Sequence, residues 1–384
     1  MIVMVIVFVR PVLIVYIYKV DWPFGHFFVM PHFASHSHHL WNASHRRKKF
    51  GIYCLATKSV PNEFVYKKFK QTVPIFKGNL GWILIWMSKR IRFIGGRSSV
   101  IDFNGRNLNT TSRELHRRDD LIKFSKSEIE ICNNFLQNFG VDSQKGFVCL
   151  NFRDDLYNRS ISLIKKEYDL RNSETQTYVA AAEKLTELGY TVFRMGAVAK
   201  EPLNSTNPKV IDYATNGMRT EMLDVYLGAF CKFAISVGSG WDSVPQIFRR
   251  PLLFVNHIPM FALSSIVCPI TIFPKIIINH QSQNPLRLLD IIDSKACVSL
   301  QAEVYKNAGF EIRDLSSEEL VEAVTEMAQR VEGTFVETPK QKEMQSKLKH
   351  ILSTHPKLQP SPNHYPIRAQ FASCFLSRFP NFLE

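Results

Sequence analysis

Residues 233–241 read Phe-Ala-Ile-Ser-Val-Gly-Ser-Gly-Trp, and the fold class turns on them. Phe233–Val237 is a strand-length run without a charge, as a strand buried on both faces requires. Gly238-Ser239-Gly240 breaks the run, and Asp242–Phe248 follows with the pattern of a short helix. Strand, glycine turn and helix make half of a βαβ unit. The same alternation continues on both sides. Upstream, Phe147–Phe152 (FVCLNF) and Thr191–Met195 (TVFRM) read as buried strands and Val210–Asp212 as a short one. Between them, Thr175–Leu188 is a helix with its apolar stripe at Tyr178, Ala181, Ala182 and Leu185, stopped by Gly189; Arg219–Ala229 is another. Downstream, Pro251–Asn256 (PLLFVN) is the next strand, and Ser316–Val331 is a late helix with Ser317 as its cap and Glu318–Glu319 in its first turn. Strands and helices alternating at this spacing predict right-handed crossovers and an open parallel sheet.

The first third is less regular. Val12–Tyr18 and Phe50–Ala56 read as strands, Phe64–Lys70 as a short basic helix, and Gly81–Ser88 as either a strand or a buried helix. Gly95–Ser112 is rich in Gly, Asn, Ser and Thr and reads as loop. Ser125–Gly140 has a capping serine, Glu128 and Glu130 in the first turn and a closing glycine, so it is a helix, and the domain boundary is placed just after it. A chain of 384 residues accommodates two α/β domains, set here at 1–142 and 143–350, with 351–384 as an extension that packs back on them. Residues 1–18 are almost wholly apolar, but Arg10 and Pro11 interrupt the run. Neither half reaches the roughly 20 residues of a bilayer span, so a strand is favoured over a membrane anchor.

With 45% apolar and 21% charged residues the chain is an ordinary globular one. Its 7 cysteines form no C-x-x-C pair, which argues for reduced thiols and against a disulfide framework or a zinc knuckle. The net charge of +14 is concentrated early: residues 1–125 hold 20 Lys/Arg against 6 Asp/Glu. That excess is either a solvated face or an attraction toward an anionic membrane surface or acidic acceptor, with residues 46–49 (Arg-Arg-Lys-Lys) and 65–70 as its patches. No zinc-finger, helix-turn-helix or RNP-like signature is present, so nucleic acid is not an expected partner.

Ligands of a doubly wound sheet sit outside the carboxyl ends of its strands. The residues that follow the strands are therefore the candidates: Arg153, Asp154 and Tyr157; Arg194 and Gly196; Gly238, Ser239, Gly240 and Trp241. Glycines let a phosphate approach the backbone, and the next helix would offer its free N–H groups. Arg153 and Arg194 on the same rim suggest a diphosphate clamp, against the alternative that each pairs with a carboxylate such as Asp154, Asp155 or Asp224. Asp212 could flank a nucleobase, while Arg219, Glu221 and Asp224 read as support for the arginines. Pro23-Phe24-Gly25-His26 closes the first strand and could set an imidazole in a cleft as general base. The cluster His32, His36, His38, His39 has no metal-site spacing and reads as solvated loop. There is no D-x-D triplet, no P-loop motif and no G-x-S-x-G elbow, so a metal-bridged diphosphate, a P-loop kinase and an α/β-hydrolase are not indicated.

Taken together, Asn151-Phe152-Arg153-Asp154, Tyr168, Arg171-Asn172-Ser173, Gly189-Tyr190, Arg194-Met195-Gly196, Ile211-Asp212-Tyr213 and Gly238-Ser239-Gly240 resemble a family of bacterial glycosyltransferases with a GT-B-like C-terminal domain. The likeness reaches back to Phe24-Gly25-His26 and forward through Pro274-Lys275 to the helix at Glu318–Met327, and is densest from about 147 to 256. Where a His-x-Arg-like strand end is expected, this chain has Asn151-Phe152-Arg153. The resemblance implies a GT-B-like α/β fold, two Rossmann-like domains with parallel sheets facing a cleft, polysaccharide biosynthesis and a cytoplasmic location, with peripheral membrane contact left open. It implies a nucleotide-sugar donor on the C-terminal domain and a glycan or lipid-linked acceptor on the N-terminal one, with no cofactor and no metal. Arg153, Tyr157, Arg194, Gly196, Asp212, Gly238, Ser239, Gly240 and Trp241 would hold the donor, and Arg171, Arg219, Glu221 and Asp224 would support them. Arg153 with His26 or Asp154 would carry the transfer. A nucleotide-sugar epimerase or hydrolase on this scaffold, or a non-catalytic binding protein for anionic glycans or membrane surfaces, are the alternatives the sequence leaves open.

Overall fold

The computed structural model describes residues 13–20, 24–91, 121–154, 156, 170–258, 268–294, 296, 299–358 and 369–384. The loop expected at 95–112, Tyr157, Tyr168 and most of the Pro-rich stretch at 356–366 lie outside the described residues. The chain is α/β and divides into two compact units, Met1–Glu128 and Ile129–Glu384.

In the first unit, strands β1 (Leu13–Lys19), β2 (Lys48–Cys54) and β3 (Ile75–Phe76) form a parallel sheet in that order. Helix α1 (Phe24–Ser44) connects β1 to β2, and α2 (Glu63–Thr72), capped by the Asn62 side chain on Val65 N, connects β2 to β3. The turn expected at Phe24-Gly25-His26 is instead the opening of α1, with His26 exposed in its first turn. The expected histidine loop is the body of α1. His32, His36 and His38 are buried on more than one side of the helix: His32 packs on the Phe28 and Phe69 rings, while His38 faces the sheet, where Tyr18 Oη and His38 Nε2 lie 2.6 Å apart. Burial first, then nearby Lys49, pushes His38 down to about 4, so its ring is neutral near pH 7.

The ambiguous 81–88 run is helical, within α3 (Gly78–Ile91). Its inner side chains Leu84 and Ile85 pack on Ile17 and Cys54, with Ile52 and Phe76 at the margin. Gly81 makes that approach possible, since a Cβ there would sit 2.2 Å from the Leu55 carbonyl oxygen. Gly81→Ala must push the helix off the sheet and is expected to cost about 2 kcal/mol, the usual scale of overpacking. A denaturant melt that places the variant at the wild-type midpoint would contradict this packing.

Helix α4 (Lys126–Asn138) contains the division between the units, whereas the sequence placed the boundary after it. The tertiary reason is aromatic: Phe135 packs against Phe193 and Tyr213, which ties the helix body to the second unit. In the described residues the second unit holds a seven-stranded sheet. Its strands are β4 (Phe147–Asn151), β5 (Thr191–Met195), β6 (Val210–Ile211), β7 (Phe233–Ser236), β8 (Leu252–His257) and β9 (Ile270–Pro274), with a seventh, short strand at one edge. Strands β10 (Ile276–Asn279) and β11 (Phe310–Arg313) form a separate antiparallel pair. Strand β12 (Gln370–Phe371) adds in parallel to β9, so residues near the C-terminus complete the sheet.

The sheet order is β12-β9-β8-β7-β4-β5-β6, all parallel. Helices α5 (Val179–Glu187), α6 (Glu221–Phe230), α7 (Ser243–Ile247) and α8 (Ser317–Glu332) accompany it. The cap of α8 is Ser316 rather than Ser317: its hydroxyl accepts from Glu319 N while Glu319 accepts from Ser316 N, a closed capping box. From β4 the chain builds outward to β5 and β6, then returns to place β7 on the other side of β4. That reversal opens a crevice at the carboxyl ends of β4 and β7, the switch point where such sheets take ligands.

Candidate functional site

Register places Asn151, the last residue of β4, beside Ser236, the last residue of β7. Both reach Asp242, which lies just beyond the glycine turn and is buried. Asn151 Nδ2 donates to Ser239 Oγ at 2.6 Å and Ser236 Oγ at 3.2 Å, and Ser236 Oγ donates to Asp242. Asp242 also accepts from Ser239 N at 2.5 Å and Ser239 Oγ at 3.1 Å. Burial pushes the Asp242 carboxyl up to about 6, against the lowering effect of the hydrogen bonds from Ser236, Ser239 and Asn151.

This network revises the expected phosphate cradle. The Ser239 hydroxyl accepts from Trp241 N, Asp242 N donates to Ser239 O, and Ser239 N is held by Asp242. Those turn amides are satisfied internally, and the helix that follows is a 3-10 turn (Gly240–Asp242) leading into the five-residue α7. The turn is thus a rigid floor rather than a ring of open donors. Gly238 is required for its shape, with φ at +89° and the space above it taken by His257 Nδ1 and Cε1 at 3.3 and 3.4 Å from a would-be Cβ.

The rim residues separate into two groups. Arg171 lies on the crevice, its Nη1 donating to Gly238 O at 3.1 Å. It is brought there because Arg153 and Asn172 form a parallel bridge, with Ser173 N donating to Arg153 O, so residues 170–173 run alongside the end of β4. Arg194 is different. It is 2% exposed, with Nη1 donating to Glu201 O at 2.7 Å and to both Asp212 oxygens at 3.1 and 3.2 Å, while its guanidinium lies 4.6 Å from the Phe152 ring centroid. Its carboxylate partner is Asp212, not the Asp224 considered from sequence, and Asp212 is further held by Leu203 N. These two therefore brace the loops beneath the rim instead of facing outward.

Asp224 pairs with Arg219 at 2.6 Å and accepts from Tyr213 Oη, and burial pushes its carboxyl up to about 6 against the Arg219 charge. Trp241 Nε1 donates to Asp224 O, and the indole packs over Gly228, where a Cβ would lie 3.0 Å from its Cζ2. Trp241 is thereby directed into the α6–α7 contact, away from the crevice. Glu221 opens α6, and Gly196 permits the loop after β5 to touch Ala214, 3.1 Å from a would-be Cβ. Asp154 accepts from Lys200 N at 2.6 Å and Leu156 N at 3.0 Å, joining the loops after β4 and β5.

His257 is a crevice residue that the sequence reading passed over. It ends β8, is 6% exposed, and neither ring nitrogen has a hydrogen-bond partner among the described residues. Burial first, then the Arg171 charge, pushes its imidazole down to about 3, so the ring is neutral. A register shift between Val255 and His257 aims it there, with Asn256 in the left-handed region at φ +49°. Asn256 holds that conformation by donating to Tyr178 Oη at 3.0 Å and accepting from Leu315 N at 2.7 Å. The available signal was an asparagine followed by a histidine at a strand end, since asparagine tolerates the left-handed region best after glycine.

No family model matches the chain, and no curated protein matches it in sequence. Among solved structures it is similar to the ADP-heptose LPS heptosyltransferase II of E. coli, with a TM-score of 0.45 and 11% identity over 83% of this chain and 99% of that one. It is similar to a glycosyl transferase family 9 protein of Veillonella parvula, with a TM-score of 0.39 and 12% identity over 67% of this chain and 86% of the other. It is also similar to the dodecameric iron-containing heptosyltransferase TibC, solved with ADP-D-beta-D-heptose, with a TM-score of 0.31 and 12% identity over 63% and 57% of the two chains. At these identities no residue's role passes from those proteins to this one.

Proposed function

We propose that this chain is a glycosyltransferase whose second unit binds a nucleotide-sugar donor at the crevice between the carboxyl ends of β4 and β7. The observation that carries this is the convergence of Arg171, Gly238 and the buried, neutral His257 at the sheet's switch point. In this role Arg171 and Arg153 face the diphosphate, and the exposed Gly240 lets the donor approach the backbone. The Asn151–Ser236–Ser239–Asp242 network keeps that floor fixed. Arg194 and Asp212 position the loops on which the donor rests. Departure of the nucleoside diphosphate is assisted by guanidinium charge, without a metal bridge. Asp154 takes the proton of the acceptor hydroxyl, a glycan or lipid-linked one in a cytoplasmic, bacterial polysaccharide pathway.

The test is calorimetry with nucleoside diphosphates and their sugar conjugates, on the wild-type chain and on Arg171→Ala. Loss of one charge-assisted contact to phosphate is expected to weaken binding by about 10- to 100-fold while the melting temperature stays near wild type. Equal affinity in both proteins would remove Arg171 from the donor site. An absence of binding by the wild-type chain to every nucleotide would sink the transferase reading itself.

A further inference from the structure

Helix α3 has a second face that the first unit's core does not use. Trp82, Ile83 and Trp86 are 54%, 43% and 43% exposed, while Leu84 and Ile85 on the opposite side are buried. At 100° per residue, Trp82, Ile83, Trp86 and Arg90 fall on one stripe. The two indoles stack with centroids 6.4 Å apart, and the Arg90 guanidinium lies 4.2 Å from the Trp86 ring centroid. Three large apolar side chains held together in water are costly.

The charge around this face selects what covers it. Among the described residues of the first unit, Glu63 and Glu128 are the acidic side chains, and each is paired with a lysine, Lys77 and Lys68. Arg46, Arg47 and Lys48 are exposed at the start of β2, and Lys58 is exposed beside the first residue of α3. Strand alternation puts Phe50, 45% exposed, on the same sheet face as Ile52 and Cys54, against which α3 packs. No helix among the described residues is long and apolar enough to cross a membrane.

We infer that the outer face of α3 lies in the interface of an anionic lipid bilayer, with Trp82, Ile83 and Trp86 inserted at the headgroup level and Arg90, Lys58 and the 46–48 cluster set against lipid phosphate. Tryptophan and arginine are the residues such an interface favours, and two weak signals, apolar insertion and basic attraction, together give stable but reversible attachment. This stands apart from the donor site, and either can fail without the other.

The experiment is sedimentation of the full chain with phosphatidylcholine vesicles, with and without phosphatidylglycerol, alongside Trp82→Ser/Trp86→Ser and the control Ile131→Ser, an exposed apolar residue of the second unit. The wild type and control are expected to bind anionic vesicles with blue-shifted tryptophan emission and to lose binding as salt rises. The double variant is expected to bind at least about tenfold more weakly at an unchanged melting temperature. Because both indoles are exposed, the fold does not depend on them; a separate Arg90→Glu variant gives the same reading through charge alone. Equal binding by the double variant overturns the inference, as does binding indifferent to phosphatidylglycerol. Self-association of the wild type that the double variant abolishes, without vesicle binding, overturns it in favour of a second copy of the chain.

Discussion

Asp242→Ala is expected to lower the melting temperature by roughly 6–12 °C and to abolish nucleotide binding with it. Removing this carboxylate strands the donors Ser239 N and Ser236 Oγ, together worth about 3 kcal/mol. It also leaves a void under the Gly238 turn, so the floor of the crevice can collapse. Asp242→Asn keeps the shape but presents an amide N–H to one of these donors, and it isolates the charge. The folded-state carboxyl is raised from 3.8 to about 6, so between these values the folded protein holds a proton that the unfolded chain has released. Stability contributed by Asp242 is therefore full below about pH 4 and declines as pH rises to about 6. On the order of 3 kcal/mol separates the two limits. The penalty of Asp242→Asn relative to wild type should accordingly be larger at pH 4 than at pH 7, read from denaturation midpoints at each pH. A penalty that grows with pH would mean the carboxylate is held ionised by its hydrogen bonds.

Arg194→Met is the second large effect, and it separates bracing from ligand contact. The guanidinium is buried, and its removal leaves the Asp212 carboxylate, 14% exposed, with Leu203 N but without its cation. Breaking one side of a buried pair costs about 3–5 kcal/mol. Adding Asp212→Asn to Arg194→Met should recover part of that loss, because the uncompensated charge is then gone. Guanidinium chloride melts of the two single variants and the double variant measure this coupling directly. If Arg194→Met melted at the wild-type midpoint and lost only nucleotide affinity, the diphosphate clamp first considered for Arg194 would be restored.

Much of the second unit is legible in its periodicity. Buried strands β4, β5, β7 and β8 are continuous apolar runs, and α5 and α6 carry helical stripes, so each element declares itself locally. Strands β9 and β12 are not legible in this way: Ile270–Pro274 ends in proline and Gln370–Phe371 is two residues long, too little pattern for a period to register. In the first unit α1 does not register as a helix, because Gly25, Pro31 and five histidines leave no clean apolar stripe, and packing supports it instead.

The sequence by itself determined a parallel α/β chain, a glycine turn after β7 and a ring of polar residues at the strand ends. Tertiary structure decided which of those residues meet. Asn151 reaches Ser239 across 88 positions, Arg171 reaches Gly238 across 67, and His257 is aimed at the same turn by a bulge on a third strand. Local spacing determines which way a side chain leaves its own element. The partner it finds depends on the order in which strands lie side by side, which is settled only when the whole sheet is packed.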